Sequence, residues 1–343
     1  MNILVVTQTV DREDPVLGFF HAWLVALAGQ FENIEVVCLK EGVHTLPSNV
    51  RVHSLGKEKN REARVVYAFR FIALLWKLRG RYESVFVHMN EEYVLIAGVL
   101  WKMLGKSVYL WRNHYAGSWL TDTVVFLCSK VFYTSKRSYT AKYAKAVQMP
   151  VGVDTNVFKK GEVPPKPRTI LYLGRVAPSK KPEVFIDALA DLHQQSISFT
   201  ASFFGAPLPA DEHYYQEIKA RARSADLRDM VTFFGGVSHA DAPAIFSAHE
   251  VYVNTSPQGM FDKTIIEACA SGCLVATCNT DMAEALPGKC VFKEGDADSL
   301  ARSLEALLAL SMQEREALVQ TSVRFSEKHS LKNLAHALSS EMQ

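Results

Sequence analysis

Six cysteines in 343 residues are too few for a disulfide-stapled scaffold. Glycine and proline together number 18 + 13 = 31, which excludes a collagen-like or low-complexity chain. Charged residues make up 22% and apolar ones 48%, so disorder is excluded and cores of ordinary size are affordable. Long apolar runs are also missing. The longest, residues 71–76 and 94–101, fall far short of the ~20 residues a membrane-spanning helix needs. Residues 1–7 lack the charged start and apolar stretch of a signal peptide, so a cytoplasmic protein with reduced thiols is expected. Cys269, Cys273 and Cys278 stand close together among small apolar neighbours and are expected to be packed core thiols rather than metal ligands.

Several motifs are absent. There is no GxGxxG after a strand, which disfavours a nicotinamide dinucleotide fold, and no GxxxxGK[ST], HExxH or GxSxG. Asp296-Ala297-Asp298 resembles a metal-binding DxD but stands just before a helical stretch, where Asp298 is a natural N-cap. No nucleic-acid recognition module is present, so no nucleic-acid partner is expected.

What is present is two runs of strand–helix alternation. Residues 2–6, 34–39, 84–88, 107–111 and 131–134 read as strands, with helices over 18–30, 93–104 and 124–128. Residues 150–167 carry four prolines, two glycines and little periodicity, and read as a linker. A second series follows, with strands over 169–173, 198–204, 231–233, 250–254 and 274–277. Its helices cover 182–194, 214–225, 240–248, 264–271 and much of 298–341. The expected fold class is α/β, with two Rossmann-like domains and ligands at the carboxyl ends of their strands, in the cleft that two facing domains form.

Net charge is 38 − 36 = +2, but it is unevenly spread. Residues 1–165 hold 21 Lys/Arg and 14 Asp/Glu (+7); residues 166–343 hold 17 and 22 (−5). A basic half favours phosphates or acidic lipid headgroups; an accidental asymmetry is the alternative.

Two segments carry chemistry. Residues 173–182, LGRVAPSKKP, follow a strand and open a helix. Gly174 permits a sharp turn, and Arg175 and Lys180 lie on the loop where both can reach one anion, with a helix N-terminus beside them. Residues 254–268, NTSPQGMFDKTIIEA, run from a strand through a glycine-containing loop into a helix starting near Thr264. Glu267 then falls in the first turn, where it either complements the helix dipole or accepts hydroxyl bonds from a ribose. Backbone N–H groups from Phe261 to Thr264 point where an anion would sit.

Together, strand–GRxxxxK–helix and loop–helix–Glu resemble the donor site of the family-4 retaining glycosyltransferases, and the resemblance covers nearly the whole chain. PVGVDTNVF at 150–158 is similar to the family's passage between domains, FFGGV at 233–237 to its base-binding stretch, and EACASG at 267–272 to the helix after its ribose-binding Glu. The resemblance implies the GT-B arrangement. An acceptor-side domain would span 1–155, a nucleotide-sugar-binding domain 156–322, and a helix over 323–343 would return to the first domain. It implies that Gly18 sits in a glycine-containing loop and that Arg175 and Lys180 neutralise the donor diphosphate and the leaving nucleotide, so that no metal or other cofactor is needed. Glu267 would hold the ribose hydroxyls, Val237 would meet the base through its backbone, and His114, in Trp111-Arg112-Asn113-His114-Tyr115, would face the donor sugar. A strand-end histidine with a structural bond is the alternative for His114. His88 and Asn90, in Val87-His88-Met89-Asn90-Glu91, are weaker acceptor-side candidates; simple packing serves His88 equally well. One departure stands out. The family's Glu eight residues before the ribose-binding Glu is Gly259 here. Asp262 would supply the lost carboxylate and Lys263 extra charge against the diphosphate, or else the site is degenerate.

The resemblance implies an active retaining transferase that uses a UDP-, GDP- or similar nucleotide sugar, with an oxocarbenium-like transition state and a departing phosphate that takes the acceptor proton. A saccharide or lipid-linked saccharide acceptor in surface polysaccharide or glycoconjugate synthesis is expected. Residues 61–81 are strongly apolar with Arg64, Arg70, Lys77, Arg79 and Arg81 interspersed; residues 130–145 add Lys136, Arg137, Lys142 and Lys145 among Tyr133, Tyr139 and Tyr143. Such a surface fits peripheral contact with an anionic inner membrane face, the alternative being a helix packed on the sheet. The competing function is a catalytically weak, membrane-associated scaffold that binds nucleotide sugars.

Overall fold

The computed structural model describes residues 1–14, 16–259 and 262–343. The chain runs β1 (Asn2–Val10), α1 (Phe19–Ala28), β2 (Asn33–Glu41), β3 (Val50–Ser54), α2 (Arg64–Leu78), β4 (Ser84–His88), α3 (Glu92–Met103), β5 (Ser107–Trp111), α4 (Trp119–Leu127), β6 (Lys130–Tyr133) and β7 (Ala146–Gln148). It continues with β8 (Lys166–Leu173), α5 (Pro182–Gln194), β9 (Thr200–Phe204), α6 (Glu212–Ser224), β10 (Val231–Gly235), α7 (Ala242–Ala248), β11 (His249–Asn254), α8 (Lys263–Ala270) and β12 (Leu274–Thr277). The helices α9 (Ala297–Leu308), α10 (Met312–Lys328) and α11 (Leu331–Met342) close it.

Two compact units result, one of Met1–Gly152 with Leu331–Gln343, the other of Val153–Ser330. The first break falls at 152/153, against 155/156 in the sequence reading. The returning segment begins at 331 rather than 323, because α10 runs on to Lys328 before the chain breaks at His329.

The first unit's sheet has the order β3-β2-β1-β4-β5-β6-β7 and is parallel throughout. Side-chain alternation splits β1 between two cores. Ile3 and Val5 pack with Phe20, Trp23 and Leu24 of α1 and Leu334 and Leu338 of α11. Leu4 and Val6 pack with Phe71 and Leu75 of α2, Trp101 of α3 and Val124 of α4. Trp23 Nε1 donates to the Gly152 carbonyl at 3.0 Å. Tyr109 donates to the Met342 carbonyl at 3.3 Å, and Lys130 pairs with Glu341 at 2.8 Å.

The second unit's sheet is also parallel, in the order β10-β9-β8-β11-β12. Strand order reverses between β1 and β4 in the first unit and between β8 and β11 in the second. Crevices for ligands open at the carboxyl ends of such strand pairs. The six cysteines are all buried, as expected of core thiols. Asp296, not Asp298, caps α9, its side chain accepting from the Ser299 amide at 2.9 Å.

Candidate functional site

The loops leaving β8 and β11 bring the two sequence-predicted segments together at the second unit's switch point. Gly174 follows β8, but a Cβ there would meet only Tyr172 atoms at 3.9–4.0 Å, so the turn does not demand glycine. Arg175 is exposed, and among the described residues it makes no ion pair. Lys180 ends a short 3-10 turn before α5, and the Thr255 hydroxyl donates to its carbonyl at 2.6 Å. Its ammonium is directed at Asp262, at 2.8 and 2.7 Å from the two carboxylate oxygens. Asn254 Nδ2 donates to the same carboxylate at 3.1 Å, as does the Ser256 hydroxyl. Burial opposes the charge on Asp262, yet the Lys180 ammonium and these hydrogen bonds outweigh it and hold the carboxyl below its ordinary value.

Glu267 lies one turn into α8 rather than in its first turn, because the helix begins at Lys263. Its side chain is 3% exposed. One oxygen, Oε1, receives Lys263 Nζ at 3.3 Å and His239 Nε2 at 3.1 Å. Burial works against this carboxylate too, and Lys263 and His239 overcome it, keeping Glu267 ionised. Lys263, expected to face the diphosphate, is thus turned onto Glu267. Thr264 Oγ1 accepts from the Tyr252 hydroxyl at 2.8 Å. Val237 lies in the loop after β10, where Gly235 takes a φ of +78°. Phe261, expected among the donor-binding residues, lies outside the described residues.

In the first unit, Gly18 stands at the start of α1, where a Cβ would come within 2.7 Å of the Asp14 carbonyl oxygen and 2.8 Å of that of Arg12. His114 lies three residues past β5, its ring stacked on Tyr115 at 4.5 Å and its Nδ1 accepting from the Ala116 amide at 3.0 Å. Arg112 Nε beside it meets Glu91 Oε2 at 2.7 Å. The acceptor role expected for His88 meets a ring that is 1% exposed. That ring stacks on Phe20 at 4.0 Å, with Nδ1 3.3 Å from the Thr7 hydroxyl, and burial pushes its pKa down to about 3. This is a packing environment. Asn90 is half-buried, its amide donating to the His88 carbonyl at 2.9 Å.

The family model for glycosyl transferases group 1 matches residues 153–324, which is half of the chain and nearly all of the second unit. The chain belongs to this family. Mannosylfructose-phosphate synthase of Agrobacterium fabrum is 32% identical over 108 residues, 31% of this transferase and 24% of that protein. The chain spans less than half the length of the curated relatives it matches. Anabaena HepE in complex with UDP and glucose superposes with a TM-score of 0.78 at 16% identity, covering 99% of this transferase and 98% of HepE. Sucrose-phosphate synthase of Thermosynechococcus elongatus gives 0.80 at 17%, again covering 99% and 98%. These similarities show the GT-B fold.

Several site residues of this glycosyl transferase had no assigned role in the sequence reading. Asn254 and Ser256 sit inside the quoted second segment, at a strand's carboxyl end where polar residues often serve ligands; that placement was the available signal. Glu294, which pairs with Lys181 at 2.9 Å and accepts from the Gln258 amide at 3.2 Å, comes from far along the chain. His239 likewise carries no local signal.

The expected basic surface resolves into α2, α3 and α4, which cover one face of the first unit's sheet. Residues 64–78 form a helix packed on the sheet, which also keeps an exposed apolar side. Tyr67, Phe71, Leu75 and Leu78 of α2 are buried, while Val65, Phe69 and Trp76 form an exposed stripe on the opposite side. Ile96, Val99 and Met103 of α3 and Trp119 and Phe126 of α4 are exposed as well, with Phe69, Trp119 and Phe126 all above 70%. Lys102 lies over the Phe126 ring at 4.5 Å and Arg79 over the Trp76 ring at 4.5 Å. Lys142 is engaged by Tyr139, at 3.8 Å over its ring, and by Asp122, so the uncommitted charge rests on α2 more than on residues 130–145. Among the described residues no helix is long and apolar enough to cross a membrane.

Proposed function

We propose that this chain is a retaining glycosyltransferase that moves a sugar from a nucleotide-diphosphate donor to a saccharide or lipid-linked saccharide acceptor, in surface polysaccharide or glycoconjugate synthesis. The observation that carries the reading is the β8/β11 crevice, where Lys180 meets the residue just before α8 and a buried, ionised Glu267 lies one turn into that helix, with Arg175 exposed on the loop that carries Lys180. A diphosphate suits the two cations and the helix N-terminus; ribose hydroxyls suit the carboxylate. HepE is described in complex with UDP and with UDP-glucose, and a donor of that kind fits this crevice.

In this reading the departing phosphate oxygen accepts the acceptor's proton, and Arg175 and Lys180 neutralise the charge that grows on the leaving group. Fixed cations do the work of a divalent metal, so catalysis is metal-independent. No protein nucleophile is needed, which accommodates Gly259. His114 serves the donor sugar. The protein works in the cytoplasm, with the aromatic and basic face of α2–α4 resting on the anionic inner membrane surface, where aromatics bury in the headgroup region and cations meet acidic lipids.

The second reading is a catalytically weak scaffold that binds nucleotide sugars. It is favoured by Gly259, whose φ of +85° belongs to glycine geometry at the position of the family's Glu. A nucleotide-release assay over UDP-, GDP- and ADP-sugars, with and without EDTA, separates the two. Slow hydrolysis of one donor, unaffected by EDTA and lost in Arg175→Ala, supports the transferase. Tight binding with no turnover, even with acceptors supplied, supports the scaffold, and failure to bind any donor overturns both.

A further inference from the structure

The crevice that suits a diphosphate already holds an anion of its own. Both oxygens of Asp262 lie against the Lys180 ammonium, with Ser256 and Asn254 as additional donors. Lys180 and Asp262 are only 20% and 18% exposed. Asp262 immediately precedes α8, at the N-cap position where an aspartate ordinarily accepts from the first-turn amides. Here it makes no such bond, and its carboxylate is directed at Lys180. Lys180 therefore enters the donor site with its charge partly offset, and Arg175 is left as the cation with no ion pair among the described residues.

We propose that Asp262 is a specificity-determining residue that sets the site against free nucleoside diphosphate and in favour of nucleotide sugar. The inference rests on the donor reading above. In a nucleotide sugar the distal phosphate is esterified to the sugar and joined by anhydride to the proximal phosphate, and carries one negative charge. In the free nucleoside diphosphate it is terminal, with a second pKa near 6, and carries close to two charges at neutral pH. A crevice in which the Lys180 charge is partly offset matches the smaller charge. The carboxylate of Asp262 repels the extra charge that appears when the sugar departs, so the spent nucleotide leaves and a fresh donor replaces it. Asp262 forms and breaks no bond in this role; it acts through Lys180 and through its own field.

Calorimetric binding of UDP, GDP and ADP, and of UDP-glucose, GDP-mannose and ADP-glucose, tests this on wild type, Asp262→Asn, Lys180→Gln and the double variant. Asp262→Asn keeps the side-chain shape and removes the charge. For whichever base binds, it is expected to tighten the free diphosphate by about tenfold and the nucleotide sugar by much less. Product inhibition deepens in step. The double variant, with both charges removed, is expected to return close to the wild-type preference. Lys180→Gln alone leaves Asp262 without its partner and widens the preference for the sugar, a readout that stands even where Asp262→Asn fails to fold. Equal shifts for both ligands, or a folded Asp262→Asn that binds diphosphate more weakly, overturn the proposal while leaving the donor reading intact. If the wild type binds none of the six, the donor reading fails, and this proposal with it.

Discussion

Gly205 lies against the carbonyl of Gly174, so close that a Cβ on Gly205 would stand 2.2 Å from that oxygen. The ends of three neighbouring strands are laced together at this point. The Gly174 amide donates to Phe204 and the Gly205 amide to Gly235, at 3.0 and 2.7 Å. The loop carrying Arg175 and Lys180 is therefore positioned by a glycine on the next strand rather than by its own. Gly205→Ala is expected to lower the unfolding free energy by about 2 kcal/mol and to raise the donor KM, because backbone has to move. Gly174→Ala, with open space around it, should stay within about 0.5 kcal/mol of wild type. Denaturation curves of the two variants, compared directly, decide the point.

Glu267 is held on one oxygen by Lys263 and His239, which predicts unequal effects when each residue is changed. Under the proposed donor role, Glu267→Ala should raise the donor KM by about thirtyfold or more, since charged hydrogen bonds to two ribose hydroxyls would be lost. His239→Ala should raise it only about threefold, because Lys263 still fixes the carboxylate. Steady-state kinetics with the donor varied gives both numbers. A large fall in kcat at unchanged KM in Glu267→Ala would place this residue away from the ribose.

His88 predicts a pH dependence of stability. Its folded value of about 3 lies below the ordinary 6.5, the depression coming from burial. As pH falls below 6.5 the unfolded chain takes up a proton that the folded ring refuses, so stability is lost toward acid. The share due to His88 is about 2 kcal/mol at pH 5. His88→Phe keeps a ring against Phe20 and should flatten the dependence between pH 7.5 and 5 by about that amount. His249 and His329, also lowered by burial, leave a residual slope in the variant. Urea denaturation across this range measures it, and an unchanged slope would show that the His88 ring titrates as freely folded as unfolded.

The exposed stripe of α2 predicts that Phe69→Ser with Trp76→Ser weakens binding to phosphatidylglycerol vesicles by about tenfold or more, with no change in thermal midpoint, as both side chains face solvent. Raising salt should weaken wild-type binding further through Arg64, Lys77 and Arg79. Vesicle flotation with anionic and neutral lipids gives the comparison. Equal binding to both lipids would leave the basic residues without a role.

How much of this was legible in the sequence varies with the physics involved. β4, β5, β12 and α5 have the bounds the sequence implies, because buried parallel strands are unbroken apolar runs and Pro182 fixes the start of its helix. β1 runs on to Val10 through Thr7 and Thr9, β-favouring residues whose polarity hides the strand. The short edge strands β3 and β7 carry too few buried residues to announce themselves. Arg175, Lys180, Asp262 and Glu267 were all legible as a set. That Lys180 turns to Asp262, 82 residues away, was not, since such a pairing is decided by tertiary packing, whereas the Lys263–Glu267 pair is an i,i+4 contact on one helix that its spacing already allowed.

The helix α11 belongs to the unit whose other residues are among the first in the chain. On the ribosome, residues 153–330 form a continuous stretch that can fold as it emerges, while the first unit waits. Ile3, Val5 and Trp23 pack with one another and with Phe20 and Leu24 of α1, but their cover is incomplete until Leu334, Ala335, Leu338 and Met342 arrive. Residues 1–152 therefore keep an unfinished core while residues 153–330 are being made, and shielding that surface from other nascent chains is the task this topology hands to chaperones.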